Sequence, residues 1–177
     1  LAIETGIPLV NFHPPGWLLL EFGFCFWFLG IRDFQKELGK GKVMVSVENM
    51  PRLARYLCDP HLLSRTETLK KVLVERNLYL SFDSSHMGTK IQDFIGDFAS
   101  LYETGKVKQI QYSDYQDGHE HLRPGDGKLP LRNLLRFLSK ENYPEGLCLE
   151  LMQEVLPQEE DEIVKALKEM LQEMKAG

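Results

Sequence analysis

Cysteine is scarce: Cys25, Cys58 and Cys148 are the three in 177 residues, and no two of them form a C-x-x-C pair. That excludes a disulfide framework and a thiolate metal knuckle; with apolar neighbours, the three read as reduced core thiols of a cytoplasmic protein. Positive charge is short as well. Twenty-one Lys plus Arg stand against 26 Asp plus Glu, a net charge of −5, which leaves no surplus to neutralise phosphates and excludes a histone-like or arm-like DNA binder. No G-x-G-x-x-G or G-x-x-x-x-G-K-[ST] precedes a helical pattern, so nucleotide-binding folds gain no support. The opening LAIETGIPLV lacks a basic stretch ahead of an apolar one, so no secretory leader is expected. One long apolar run exists, WLLLEFGFCFWFLGI at 17–31, with Glu21 as its single charge. It falls short of the ~20 residues that span a bilayer, and no membrane partner is expected. It reads instead as a helix apolar on nearly all sides, and a homo-oligomer through 17–31 is one way to cover its outer face.

Five short runs rich in β-branched or aromatic residues are bounded by Gly, Pro, Asn or Asp: 7–12, 43–48, 78–83, 107–112 and 146–151. Between and after them, 17–38, 61–76, 88–103, 130–141 and 159–175 have helical spacing. Five βα units in one domain over 1–177 imply a parallel sheet with helical crossovers. An open doubly wound sheet fits the length directly. A (β/α)8 barrel of ~250 residues requires further strands, most naturally before Leu1.

The chemistry-bearing side chains sit where these runs end. His13, Glu48 and Asp83 follow one another at 35-residue intervals, and Gln111 with Asp114, then Glu150, close the last two runs. In a parallel α/β sheet those ends emerge on one face, where ligands bind. NFHPPG turns the chain straight after His13. FDSSH places Asp83 and His86 three residues apart, which suits either a paired carboxylate and imidazole or a helix N-cap. The polar loop 114–129, DYQDGHEHLRPGDGKL, is long for a simple connection. In an extended stretch its His119 and His121 point to one side, the spacing of a shared metal or a bracketed substrate; a solvated surface loop is the plainer reading. Glu48 and Glu150 are the strongest pair, because an inward carboxylate in an apolar strand must be paired or metal-bound. Carboxylates mixed with imidazoles suit Zn²⁺, Mn²⁺ or Co²⁺.

With these residues in order, the chain resembles the xylose isomerase-like TIM barrel superfamily, which includes sugar phosphate isomerases and epimerases and endonuclease IV. The resemblance rests on HPPG at 13–16, Glu48 in VSVENMP, the Asp83-Ser-Ser-His86 step, the HLRPGDG loop with His121, and Glu150 in LCLEL. It implies an incomplete (β/α)8 barrel beginning near its third strand. It implies Glu48, Asp83 and Glu150 as metal carboxylates, His13 and His86 as metal or substrate groups, and His121 with His119 as a pair standing where endonucleases have Asp-x-His. Gln111 departs from the family, which usually has a metal-ligating His there.

The expected function is a metal-dependent sugar or sugar-phosphate isomerase or epimerase. Glu48 and Glu150 move the proton. A divalent metal (Zn, Mn or Co) is held by Glu48, Asp83, Gln111, Glu150, His86 and His121. His13, His86, His119, Arg123 and Lys128 bind the substrate. The alternatives are an endonuclease IV-like zinc phosphodiesterase acting on abasic DNA, less favoured by the acidic charge, and a non-catalytic barrel relative, favoured by Gln111.

Overall fold

A computed structural model describes residues 2–17, 19–52, 59–89 and 93–176. After a short helix α1 (Ala2–Thr5), apolar runs pair as strands β1 (Leu9–Phe12), β2 (Met44–Glu48), β3 (Tyr79–Asp83) and β4 (Val107–Tyr112), and β7 (Leu147–Leu149) joins after a hairpin of β5 (Asp114–Gln116) and β6 (His119–Leu122). The sheet order is β1-β2-β3-β4-β7 with every pair parallel. Strand order therefore follows chain order without the reversal that an open doubly wound sheet would show, and the result is a five-stranded parallel half-barrel matching an incomplete TIM barrel.

Alternation along the strands sorts the two faces. Val45, Val47, Leu80, Phe82 and Ile110 are buried against the helices α2 (Phe22–Gly30), α3 (Thr66–Glu75), α5 (Phe94–Tyr102) and α6 (Leu131–Lys140), where Phe28, Leu69, Leu73, Phe98 and Leu134 complete the core. The intervening side chains form a polar layer on the inner face: Ser46 Oγ bonds Asn11 Oδ1 at 3.2 Å and lies 3.1 Å from Ser81 Oγ, which donates to Gln109 Oε1 at 2.9 Å. Two residues further along the same strands stand Glu48, Asp83 and Gln111, so the layer is the floor of the mouth that carries them.

Several elements differ from the sequence expectation. The helix expected over 17–38 is divided into a 3-10 turn (Leu19–Glu21), α2, and a π-helical turn (Gln35–Gly39). The Arg76 guanidinium explains the stop: its Nη1 donates to the carbonyls of Phe28, Leu29 and Ile31 at 3.3, 2.8 and 2.6 Å, capping the end of α2 with positive charge. Cys25 and Phe28 are buried while Phe26 is 75% exposed and Trp27 faces outward. Beside them an apolar cleft of about 440 Å³ runs between Phe12, Phe24, Trp27, Val43 and Val45. No helix among the described residues is long and apolar enough to cross a membrane. Of the helix expected at 88–103, α5 covers Phe94–Tyr102, capped by Asp93 Oδ1 accepting from the Gly96 amide at 2.9 Å, and a separate short helix α4 (Ser84–Gly88) precedes it straight after β3.

The loop 114–129 holds the β5–β6 hairpin, turned by Asp117 and Gly118 at φ +51° and +93°. An Asp-Gly pair favours that reversal. A final helix α7 (Glu160–Ala176) follows β7. Of the three cysteines expected in the core, Cys25 is buried, whereas Cys148 is exposed because β7 is an edge strand; Cys58 lies outside the described residues.

Candidate metal and proton-transfer site

Glu48 ends β2 between two neighbouring strands and is 1% exposed. Its Oε2 accepts from Asn11 Nδ2 at 2.9 Å, and its Oε1 lies 3.0 Å from His86 Nδ1 and 3.4 Å from His13 Nε2. Burial works to raise its pKa, but hydrogen bonding to His13 and then His86, with their charge, carries it well below the usual carboxylate range. The histidines respond in the opposite sense. For His86 the lowering by burial is outweighed by Glu48 and Asp83, which bring it up to about 9. His13, its side chain 63% exposed, is raised chiefly by the hydrogen bond with Glu48, and the charge of Glu150 adds to the effect.

Asp83 fulfils both readings that the sequence left open. One oxygen, Oδ1, caps α4 by accepting the His86 amide at 2.9 Å. The other, Oδ2, faces His86 Nδ1 at 3.6 Å and His121 Nδ1 at 3.8 Å and has no hydrogen bond. Burial raises this carboxyl above its ordinary value, against the opposing charge of His86. Asn49, fully buried, ties the two strand ends together: its amide donates to the Asp83 carbonyl at 2.9 Å and accepts the Asp83 N–H at 2.7 Å, and its own carbonyl receives His86 Nδ1 at 3.0 Å. His121 arrives from β6 at φ +56°, held by its N–H to Ser85 Oγ at 2.9 Å, with its ring centroid 5.2 Å from that of His86.

Asp83, His86 and His121 each offer a ligand atom within 4.8 Å of the others. Side-chain oxygens Glu48 Oε1, Asp83 Oδ2 and Gln111 Oε1 are buried without a well-aligned hydrogen bond. Glu48 Oε1 has the imidazoles of His86 and His13 beside it, whereas Asp83 Oδ2 has, among the described residues, no donor nearer than 3.6 Å and fits a divalent cation shared with His86 and His121.

The remaining expected residues lie at varied distances from this group. Gln111 pairs in register with Asp83 across β3 and β4. Glu150 follows β7 rather than lying in it, and it is half-buried, not the enclosed carboxylate its apolar strand suggested. His119 is exposed at the start of β6, and Lys128 is held by Asp117 at 3.0 Å on the loop surface. Arg123 is half-buried, and its carbonyl accepts the Asp126 amide at 3.0 Å in the turn after β6. Asp114, grouped with the strand-end acids by sequence, instead organises the loop by accepting the amides of Tyr115, Gly125 and Leu129 at 2.8, 3.0 and 3.0 Å. Asn11 and Asn49 escaped the sequence reading. The available signal was a polar residue two before each strand-end group, in Asn11/His13, Ser46/Glu48, Ser81/Asp83 and Gln109/Gln111.

No family model and no curated protein matches the sequence. Solved structures do. A D-tagatose 3-epimerase-like protein superposes with a TM-score of 0.71 at 20% identity, over 99% of this chain and 66% of its own. A 3-keto-D-glucoside 4-epimerase from E. coli gives 0.68 at 15% over 99% and 66%, and endonuclease IV from Thermus thermophilus gives 0.64 at 17% over 99% and 65%. The chain thus spans just under two thirds of the length of these structures. With its sequential parallel strands, the chain has an incomplete form of the TIM-barrel fold that these structures share.

Proposed function

We propose that this chain carries the site of a metal-dependent sugar or sugar-phosphate isomerase or epimerase, with Glu48 and Glu150 dividing the removal and return of a proton. One observation carries the reading: a buried, ionised Glu48 and an unbonded Asp83 Oδ2 face the same His86 nitrogen, beside a His13 that senses both Glu48 and Glu150. The two epimerases among the similar structures support it.

Glu48, Asp83, Gln111 and Glu150, with His86 and His121, would hold a divalent cation such as Zn²⁺, Mn²⁺ or Co²⁺. When bound, that cation would polarise adjacent substrate oxygens and stabilise the enediolate charge. Glu48, kept ionised by His13 and His86, is the base that takes the proton from the substrate carbon, and Glu150, the more accessible carboxyl, returns one from its protonated form after exchange with solvent. His13 and His86 at the mouth, and His119, Arg123 and Lys128 from the hairpin and its following loop, bind hydroxyls or a phosphate.

The test is deuterium exchange. Incubated in D2O with Mn²⁺ and a panel of ketohexoses and their phosphates, the protein should wash deuterium into the carbon next to the carbonyl, and Glu150→Gln should abolish it. No exchange with any member of the panel would overturn the reading. A second reading, an endonuclease IV-like phosphodiesterase, is favoured by the nitrogen-rich grouping of Asp83, His86 and His121. Nicking of abasic DNA in the absence of exchange would select it; absence of both would leave a non-catalytic barrel.

A further inference from the structure

We propose that the aromatic face of α2 is a homodimer interface, on which a second copy of this chain seats its own α2. A dimer of this kind requires nothing of the activity proposed above.

The first ground is the size of the face. Trp17, Leu20, Phe22, Phe26, Trp27 and Leu29 stand in solvent, Leu20 completely and Phe26 by 75%. At about 200 Å² for each whole side chain, they leave roughly 700 Å² of apolar surface exposed. That exceeds the largest apolar patch of an ordinary monomer, about 300–600 Å², and approaches the ~800 Å² that each partner contributes to a stable interface. No polar side chain defends it. A surface helix turns charged residues outward, yet α2, FGFCFWFLG, has none. Gly23 and Gly30, seven residues apart and so on one line of the helix, stand open, with no packed neighbour within 4 Å of where a Cβ would be.

The second ground is shape, which points to a second copy rather than another occupant. A two-fold interface uses one patch twice, so that patch must carry both a projection and a recess. Phe26 and Leu20 project. The recess is the apolar cleft of about 440 Å³ between Phe12, Phe24, Trp27, Val43 and Val45, reached at Trp27, the very next residue after Phe26. Related by a two-fold axis, each copy offers a ring to the other's cleft. A lipid surface is a poorer fit, because a helix lying on a bilayer carries Lys or Arg along its flank. Residues 17–31 hold a single charge, Glu21, and its carboxylate accepts the Gly16 amide.

The chain's two tryptophans, Trp17 and Trp27, both belong to this face, so their emission reports its burial. In sedimentation velocity the parent should be a dimer at about 50 μM and dissociate on dilution toward about 0.1 μM, with tryptophan emission moving to longer wavelength over the same range. Leu20→Glu and Phe26→Glu should each weaken association at least about thirty-fold. Val74→Glu, which puts the same charge on an exposed apolar position of α3, should leave association unchanged.

A parent that stays monomeric at about 50 μM would overturn the proposal. So would a dimer that survives both substitutions in the face, which would put the interface elsewhere, or growth into large species without a dimer plateau, the mark of an adhesive surface with no defined mate. Monomeric parent that sediments with phosphatidylcholine vesicles would give the face to lipid instead. Near-UV circular dichroism checks that each variant is folded, and if one of the face variants is not, the other and the parent's dilution series still decide.

Discussion

Glu48 and Glu150 close runs that look alike, VMVSVE and GLCLEL, yet the fold treats them differently. Glu48 ends a strand flanked on both sides, so Asn11 approaches from β1, and His86, held by the Asn49 carbonyl, closes over it from the β3 side. Glu150 follows a three-residue strand at the edge of the sheet and stays half-buried. An acid at a strand end marks the right face. Its neighbours in the sheet decide whether it becomes a buried, paired charge or an accessible one, and the proposed division of labour, an ionised base at Glu48 that removes the proton and a solvent-exchanging acid at Glu150 that returns one, follows from that difference.

The largest expected effect breaks the comparison at its buried end. Glu48→Ala leaves His13, His86 and Asn11 facing an empty acceptor position, and removing one partner from a buried charged cluster costs about 3–5 kcal/mol. Urea denaturation of the metal-free protein should show that loss, whereas Glu150→Ala should change stability by no more than about 0.5 kcal/mol. Equal losses would mean the two carboxylates are alike and would remove the structural basis for assigning them different roles.

Next comes the rate. Glu150→Gln should lower deuterium exchange by about 10²–10⁴-fold, the usual contribution of a positioned acid–base group, while the midpoint of thermal unfolding stays at the parent value. Unchanged exchange in this variant would take the proton-carrying role away from Glu150.

A smaller effect sharpens how the buried carboxylate is held. Asn11→Ala removes one hydrogen bond to Glu48 Oε2 and one acceptor for Ser46 Oγ. About 1.5–3 kcal/mol should be lost, the range for a hydrogen bond to a charged group. A loss confined to a few tenths would show that His13 and His86 suffice to hold Glu48.

How much of this was legible follows from what kind of interaction each feature rests on. Strands β1 to β4 were readable because β-branched runs ended by Gly, Pro, Asn or Asp are local signals, and their sequential order followed from the handedness of βα crossovers. The gathering of Glu48, Asp83 and His86 was readable for the same reason, since each ends a strand or begins the turn after it. The break after α2 was not, because Arg76, which caps it, lies 45 residues from Ile31. Nor could the sharing of Glu48 by two imidazoles be foreseen, since it depends on where rings from β1's following turn and from α4 meet in space. The hairpin at 114–122 did have a local signal, the Asp117-Gly118 pair, and could have been found.

The smallest predicted effect separates partnering from burial. Glu48 is a low-pKa carboxylate in spite of burial; Asp33, on the surface before the π-helical turn, is one without it, lowered chiefly by its bond from the Lys36 amide and then by Asn77. Its folded pKa lies below the ordinary 3.8, so its share of stability is present above that value and is lost as pH falls through the lower, folded one. Asp33→Asn keeps an acceptor for both donors and removes the titration. The acid limb of the stability–pH curve should therefore become shallower below about pH 4, while the curve at neutral pH shifts little. Denaturation midpoints taken across the acid range, from about pH 2 to about pH 5, for parent and variant decide the point. Parallel limbs would mean that the hydrogen bonds around Asp33 do not distinguish its ionised form, and that pairing lowers a carboxylate here only where burial has also removed the competing water.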